Sequence, residues 1–204
     1  MTTLITDPWL EGRLKDERKA WGSDRYDEVW DGVYLIGPLP DDEHQAIIAH
    51  LGSILQDIIG WPGLGEVYLG VNLTDRTDDW EHDYRIPDVA VFLRGGSAEN
   101  CGTHWRGAAD FLIEITSPND RTREKIPFYS RLGVVELLLV DRQTWTLELY
   151  QQREGQLQQV GQSSLAESAV LASTTVPLTF QLVPGDPRPH IAVTHPASGR
   201  RWSV

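Results

Sequence analysis

Two carboxylates and one amine stand in this chain on predicted strands and a helix, close enough in sequence order to share one site. Asp88 follows Pro87 and opens the apolar run VAVFL, Glu114 lies inside FLIEIT, and Lys125 follows in NDRTREKIPFYSRLG. Side chains alternate along a strand, so Phe111, Ile113 and Ile115 share one face of FLIEIT, and Leu112, Glu114 and Thr116 the other. If this strand pairs with the one that Asp88 opens, two carboxylates converge. Such hard oxygen donors suit Mg²⁺ or Mn²⁺, which polarises a phosphoryl oxygen, lowers the pKa of a bound water and offsets charge developing in phosphodiester cleavage. An ammonium swinging back over the sheet could position the attacking water or stabilise the pentavalent transition state. Singly, each residue has a plainer reading: a strand entrance, an exposed or paired glutamate, a solvated helix lysine. Glu114 is the hardest to set aside, because a carboxylate in so apolar a strand must be solvated in a cleft, paired or metal-bound.

Hydrophobic patterning predicts the elements that hold these residues. Trp9, Leu10 and Leu14 are spaced for one face of an opening helix. YDEVW and GVYLIG flank Asp31-Gly32, a two-residue hairpin turn in which both central residues need positive φ; Tyr26, Glu28 and Trp30 then share a face. After Pro40, Asp41 or Asp42 can cap a helix whose stripe is Ile47, Ile48, Leu51, Ile54, Leu55, Ile58 and Ile59, ended by Gly60 and Pro62. EVYLGVNLT reads as one strand burying Val67, Leu69, Val71 and Leu73, and residues 94–109 as a loop. Ile126, Tyr129 and Leu132 have helical spacing, with Pro127 tolerated near the first turn and Gly133 as the stop. VVELLLVD suits a central strand covered on both faces, followed by a hairpin of TLELYQ and GQLQQVGQ with Arg153-Glu154-Gly155 near its turn. IAVTH and RRWSV read as terminal strands around PASG. This order predicts an α+β (mixed α/β) fold with the long helix against one sheet face.

RIPDVAVFL, ADFLIEITSPNDRTREKIPFYSRLGVVELLLVD and TLELYQ resemble the Uma-type endonuclease family, a branch of the PD-(D/E)xK restriction-endonuclease-like superfamily. Pro87-Asp88, Glu114, Ser117-Pro118, Lys125, Tyr129, Gly133-Val134 and Asp141 carry the likeness, and YDEVWDG and PDDEHQAI extend it to Glu28, His44 and Gln45. The resemblance implies a restriction-endonuclease-like core, a mixed central sheet flanked by helices with an added β-hairpin region. It also implies a Mg²⁺-dependent endonuclease acting on DNA, with Asp88 and Glu114 as metal ligands and Lys125, Glu28 and His44 completing the catalytic set. The superfamily's Glu-x-Lys reads Glu114-Ile115-Thr116 here, so the lysine is supplied from the following helix, and Ala109-Asp110 replaces the family's proline before the glutamate strand. Glu28 shares its hairpin face with Tyr26 and Trp30 and is the candidate supporting ligand of metal or water; its plain reading is an exposed hairpin charge. His44, one turn before Ile47 and Ile48, could reach a scissile phosphate, or be a structural helix-start histidine.

Composition sets the outer bounds. A chain of 204 residues suits one domain, its core running from about residue 25 to about residue 150 and its variable tail from about residue 184. No apolar run approaches the roughly eighteen residues a membrane helix needs, and MTTLITDPWLEGRLKDERKAW lacks the features of a secretory signal, so the expectation is a cytoplasmic protein. Cys101 is alone, which excludes an intramolecular disulfide and a thiolate zinc cluster. The formal charge of −12 repels a phosphate backbone and argues against a protein that coats DNA non-specifically. It also keeps open two alternatives: a catalytically inactive binding or assembly module, and a nuclease for RNA or small nucleotides. Arg121, Arg123, Lys125 and Arg131 could form a phosphate-binding strip or a salt-bridged helix surface. His50, His82, His104, His190 and His195 show no ligand spacing, and Asp78, Asp79, Glu81 and Asp83 read as a solvated loop. The scattered tryptophans and edge strands allow a homodimer.

Overall fold

The computed structural model describes residues 2–37, 40–117 and 120–204. Pro118, part of the Ser-Pro motif, lies outside the described residues. The chain opens with β1 (Thr3–Ile5) and α1 (Pro8–Ala20), capped by Asp7, and continues into β2 (Glu28–Trp30) and β3 (Val33–Ile36), which form a three-stranded sheet ordered β1-β3-β2. Asp31 and Gly32 take φ of 48° and 81°, the left-handed pair that a tight hairpin requires. The predicted face of α1 packs little: Trp9 is 72% exposed and none of the helix's residues is buried.

The long helix α2 (Asp42–Leu55) starts where the Asp41 carboxylate accepts the His44 N–H at 2.9 Å, and a π-helical turn, Gln56–Gly60, extends it. All seven stripe residues are buried, each burial worth about 1.5–3 kcal/mol. Next come β4 (Gly65–Leu69), β5 (Leu73–Thr74), β6 (Val89–Leu93), β7 (Glu99–Asn100), β8 (Trp105–Arg106) and β9 (Phe111–Thr116). A 3-10 turn, Thr122–Lys125, leads into α3 (Ile126–Leu132), which Gly133 ends at φ 87°. After it run β10 (Glu136–Asp141), β11 (Thr146–Arg153), β12 (Gln156–Ser164), β13 (Leu171–Ala172), β14 (Thr179–Val183), β15 (His190–His195) and β16 (Arg200–Ser203).

The central sheet is ordered β12-β11-β10-β9-β6-β4; β9 and β10 are parallel and the other pairs antiparallel. One face packs on α2 and on a four-stranded sheet, β13-β14-β15-β16, in a continuous apolar cluster that includes Ile47, Leu51, Phe111, Ile113, Phe180 and Val193. The other face packs on α3 through Leu112, Leu137, Leu139, Phe128 and Tyr129. Covering on both faces is why β10 reads as a nearly unbroken apolar run. No helix among the described residues is long and apolar enough to cross a membrane.

Several expectations need correction. EVYLGVNLT is not one strand: Gly70 turns the chain at φ 66°, Leu69 is 45% exposed, and Leu73 enters a different sheet. Residues 94–109 are more than a loop, since β7 and β8 pair beside β5. Both pieces are two-residue strands, too short for alternation to register. The acidic loop is not wholly solvated: Asp83 is buried, accepting the Asp31 N–H at 3.0 Å and Arg85 Nη1 at 2.7 Å, which ties the hairpin turn to the strand ahead of the site. Lys125 closes the 3-10 turn just before α3 rather than lying on the helix. The terminal strands exist, but β13 and β14 join them in a sheet that the sequence did not announce.

Candidate active site

Register brings the acids together. Val89 of β6 lies opposite Ile113 of β9, so Asp88, one residue earlier, comes alongside Glu114, one residue later, on the face that carries α3. Asp88 Oδ2 accepts the Ile115 N–H at 2.7 Å, fixing the carboxylate across the strand end. Glu114 is only 2% exposed; its Oε1 accepts the Tyr129 hydroxyl at 2.5 Å and Lys125 Nζ at 3.1 Å. The same ammonium lies 2.8 Å from Glu28 Oε1 and donates to the Ile86 carbonyl at 3.1 Å. Glu28 also accepts the Ile86 N–H at 2.7 Å and Trp30 Nε1–H at 2.5 Å, so the hairpin is stitched to the strand leading into Asp88.

His44 reaches this group from the capped first turn of α2, with Nε2 3.1 Å from Asp88 Oδ1 and Nδ1 3.1 Å from Ser117 Oγ. Glu28, His44, Asp88, Glu114 and Lys125, the residues singled out above, thus all line one cleft of about 220 Å³, together with Tyr26, Gln45 and Trp30. Glu28 and His44 are buried, 7% and 8% exposed, so Glu28 is not the exposed hairpin charge of its plain reading, and His44 turns from the helix start toward Asp88. The arginines do not form a strip with Lys125. Arg121 pairs with Glu124 at the cleft edge above Trp30, Arg123 binds Glu148 and Asp141, and Arg131 sits 3.8 Å from Asp83.

Electrostatics distinguishes this cluster from an ordinary ion pair. Burial pushes the Glu114 carboxyl up to about 8; Lys125 opposes the rise, and the like charges of Asp88 and Glu28 add to it. Burial works against the Lys125 ammonium, yet Glu114, Glu28 and Asp88 more than offset it and hold the amine protonated, above its ordinary value. Tyr129, buried beside Glu114, is likewise held well above the ordinary phenol and remains a donor. Glu114 and Glu28 therefore share one cation with Asp88 nearby, and burial, reinforced by that surplus negative charge, makes Glu114 hard to ionise.

A divalent ion fits that donor chemistry. Asp88 and Glu114 are hard oxygen donors, and a small cation of this kind is commonly held by one or two carboxylates with water and substrate oxygens completing its shell. Among the described residues, no group of three or more His, Cys, Asp or Glu side chains is disposed to cage a metal by itself.

Sequence reasoning missed two parts of the arrangement. Arg85 is buried, with its guanidinium 4.7 Å from the Trp30 ring centroid and 4.2 Å from that of Phe128, and so backs the wall on which Glu28 is held. Arg142, its side chain largely covered, donates to Ser117 Oγ at 3.3 Å. Neither sits in a patterned run; the partners of Arg142 are distant in sequence, and Arg85 pairs locally with Asp83 but stacks on rings far along the chain.

A mixed sheet covered on both faces, with an acidic cleft where β6 and β9 meet, defines a restriction-endonuclease-like α+β protein. The chain matches the Uma2 family, described as "Putative restriction endonuclease", over residues 21–184, and belongs to it. The match runs past residue 150, so β11 to β14 are part of the family's span. The fold is similar to the crystal structure of a "putative nuclease belonging to DUF820" from Anabaena variabilis ATCC 29413, with a TM-score of 0.58 at 18% identity over 72% of this chain and 80% of that one. No curated protein matches the chain.

Proposed function

We propose that this protein is a Mg²⁺- or Mn²⁺-dependent endonuclease that hydrolyses phosphodiester bonds in DNA. The observation that carries the reading is the convergence of Glu28 and Glu114 on the ammonium of Lys125, with Asp88 alongside Glu114 across the strand pair, inside a cleft open to solvent. Asp88 and Glu114 would hold the ion; when bound, it supplies Lewis-acid polarisation of a phosphoryl oxygen and a more acidic water. Lys125 is held protonated, so its part is electrostatic: it orients the attacking water and faces negative charge developing on the phosphoryl oxygens, and it is not the general base. Glu28 fixes the direction of that ammonium, Tyr129 holds one oxygen of Glu114, and His44 holds Asp88.

The test is cleavage of plasmid, single-stranded DNA and RNA, with and without Mg²⁺ or Mn²⁺, by the wild type and by Asp88→Asn, Glu114→Gln and Lys125→Ala. The expected result is metal-dependent nicking of plasmid that each substitution lowers by about 10²–10³-fold. Wild-type rates in all three variants sink the assignment. The −12 charge favours a second reading, a smaller or single-stranded substrate, and RNA or oligonucleotide cleavage exceeding that of plasmid would select it. Calorimetry showing no Mg²⁺ or Mn²⁺ binding that depends on Asp88 and Glu114 would instead mark an inactive binding module. We include a homodimer in the proposal, supported by Trp9, Trp21 and Trp61 at 72%, 79% and 73% exposure, and sedimentation measures it directly.

A further inference from the structure

We propose that Arg142 is a positioning residue for the acidic site, acting on Asp88 through Ser117 and His44; the inference rests on the nuclease reading of Asp88 given above. Arg142 follows the end of β10, and its side chain is only 8% exposed. Its Nη1 donates to Ser117 Oγ at 3.3 Å, Ser117 Oγ is 3.1 Å from His44 Nδ1, and His44 Nε2 is 3.1 Å from Asp88 Oδ1. A guanidinium donates and never accepts, so the serine oxygen is the acceptor on that side and its own hydrogen is free for Nδ1. The Asp88 carboxylate only accepts, so Nε2 carries the hydrogen that faces it, and Nδ1 carries the lone pair that the Ser117 hydroxyl meets. Donors therefore run in one direction, from Arg142 to Ser117 to His44 to Asp88. They end on a carboxylate whose other oxygen already accepts the Ile115 N–H at 2.7 Å, so Asp88 is held from two sides.

The same guanidinium fixes the element that carries the imidazole. It lies 2.9 Å from Asp41, the cap of α2, and 2.8 Å from Glu43 in the first turn, on either side of the turn that presents His44. Glu43 is gripped in turn by Arg188 Nε at 3.1 Å. Arg188 lies beyond the stretch that matches the family, so the C-terminal portion of this chain supports the site from outside it.

A purely structural Arg142 would tie α2 to β10 and leave the imidazole tautomer untouched, which makes the tautomer the deciding measurement. The experiment uses ¹⁵N-resolved imidazole spectra of the full-length, metal-free protein at about pH 8.5, above the ordinary imidazole range, with His44→Gln to assign the resonance. His44 should be the Nε2–H tautomer in the wild type, shift toward Nδ1–H in Ser117→Ala and in Arg142→Met, and keep the wild-type form in Arg142→Lys. Asp41 and Glu43 are 57% and 37% exposed, so water solvates them when Arg142 is lost, and Ser117→Ala leaves those ion pairs intact as a second route to the answer. In cleavage assays kcat should fall about tenfold in Ser117→Ala and Arg142→Met with KM unchanged, and the double variant should fall no further than the worse single. An unaltered His44 tautomer in both variants, or an Nδ1–H form in the wild type, overturns the proposal. A wild type with the expected spectra and no nuclease activity sinks the proposed function while leaving the positioning role of Arg142 supported.

Discussion

Glu114 and Glu136 sit in adjacent parallel strands, 2% and 0% exposed, and their surroundings share almost nothing. Glu136 is satisfied by neutral donors: Gln151 Nε2 at 2.9 Å, the Thr174 N–H at 3.1 Å and hydroxyl at 3.2 Å, and the Ser173 hydroxyl. It clamps the Ser173–Val176 loop against the sheet. Glu114 meets a cation and a phenol, shares the cation with Glu28, has Asp88 alongside, and lies on a cleft. Burial by itself therefore does not mark a functional carboxylate. Like charges crowded around too little positive charge, with solvent access, do so.

The comparison breaks first on activity. Glu114→Gln should lower metal-dependent cleavage by about 10²–10³-fold while the protein stays folded. Glu136→Gln should leave cleavage within about twofold and lower unfolding free energy by about 1–3 kcal/mol, because the amide presents a donor where only donors wait. Equal losses of activity in the two variants would erase the distinction. Next in size, Lys125→Met should destabilise the metal-free protein by about 3–5 kcal/mol in urea unfolding, since buried Glu28 and Glu114 lose their shared cation. Adding Glu114→Gln to it should restore part of that stability, and a double variant weaker than the single would contradict the crowding account.

The smallest effect is a pH slope. The folded-state carboxyl of Glu114 titrates at about 8 against an ordinary 4.5, so the native state binds its proton more tightly than the unfolded chain does. Its contribution to stability is complete below the ordinary value and is lost as pH rises through about 8. Other acids, among them Glu148 and Asp141, are shifted down and slope the opposite way, so the measurement is the difference between wild type and Glu114→Gln. The variant should gain on the wild type as pH rises across that window; a constant difference would show that Glu114 is not held protonated.

The elements legible in the sequence were those with a long pattern. The α2 stripe, the Asp31-Gly32 hairpin, the all-apolar β10 and the Gly133 stop each repeat one physical demand over several residues or use a backbone conformation few residues adopt. β5, β7, β8 and β13 have two residues each, too few for alternation to register, and β5 pairs with β8 far along the chain. In the site, Glu114 stood out because a carboxylate inside an apolar strand is costly, and Asp88 gained weight only in combination with it and from the family resemblance. Arg85 and Arg142 did not, because an arginine in a polar connection looks like any solvated cation until its partners are known.

By itself the sequence determined which residues have the right chemistry and which strands present them, since side-chain alternation and hydrophobic period are local properties of the chain. Tertiary structure alone decided that Glu28, from the hairpin, and Lys125, from the turn before α3, meet at 2.8 Å, that His44 turns toward Asp88, and that Arg142 stands behind it. Those meetings depend on strand register and on how α2 and α3 sit against the sheet. Both are set by long-range packing, which no local window contains.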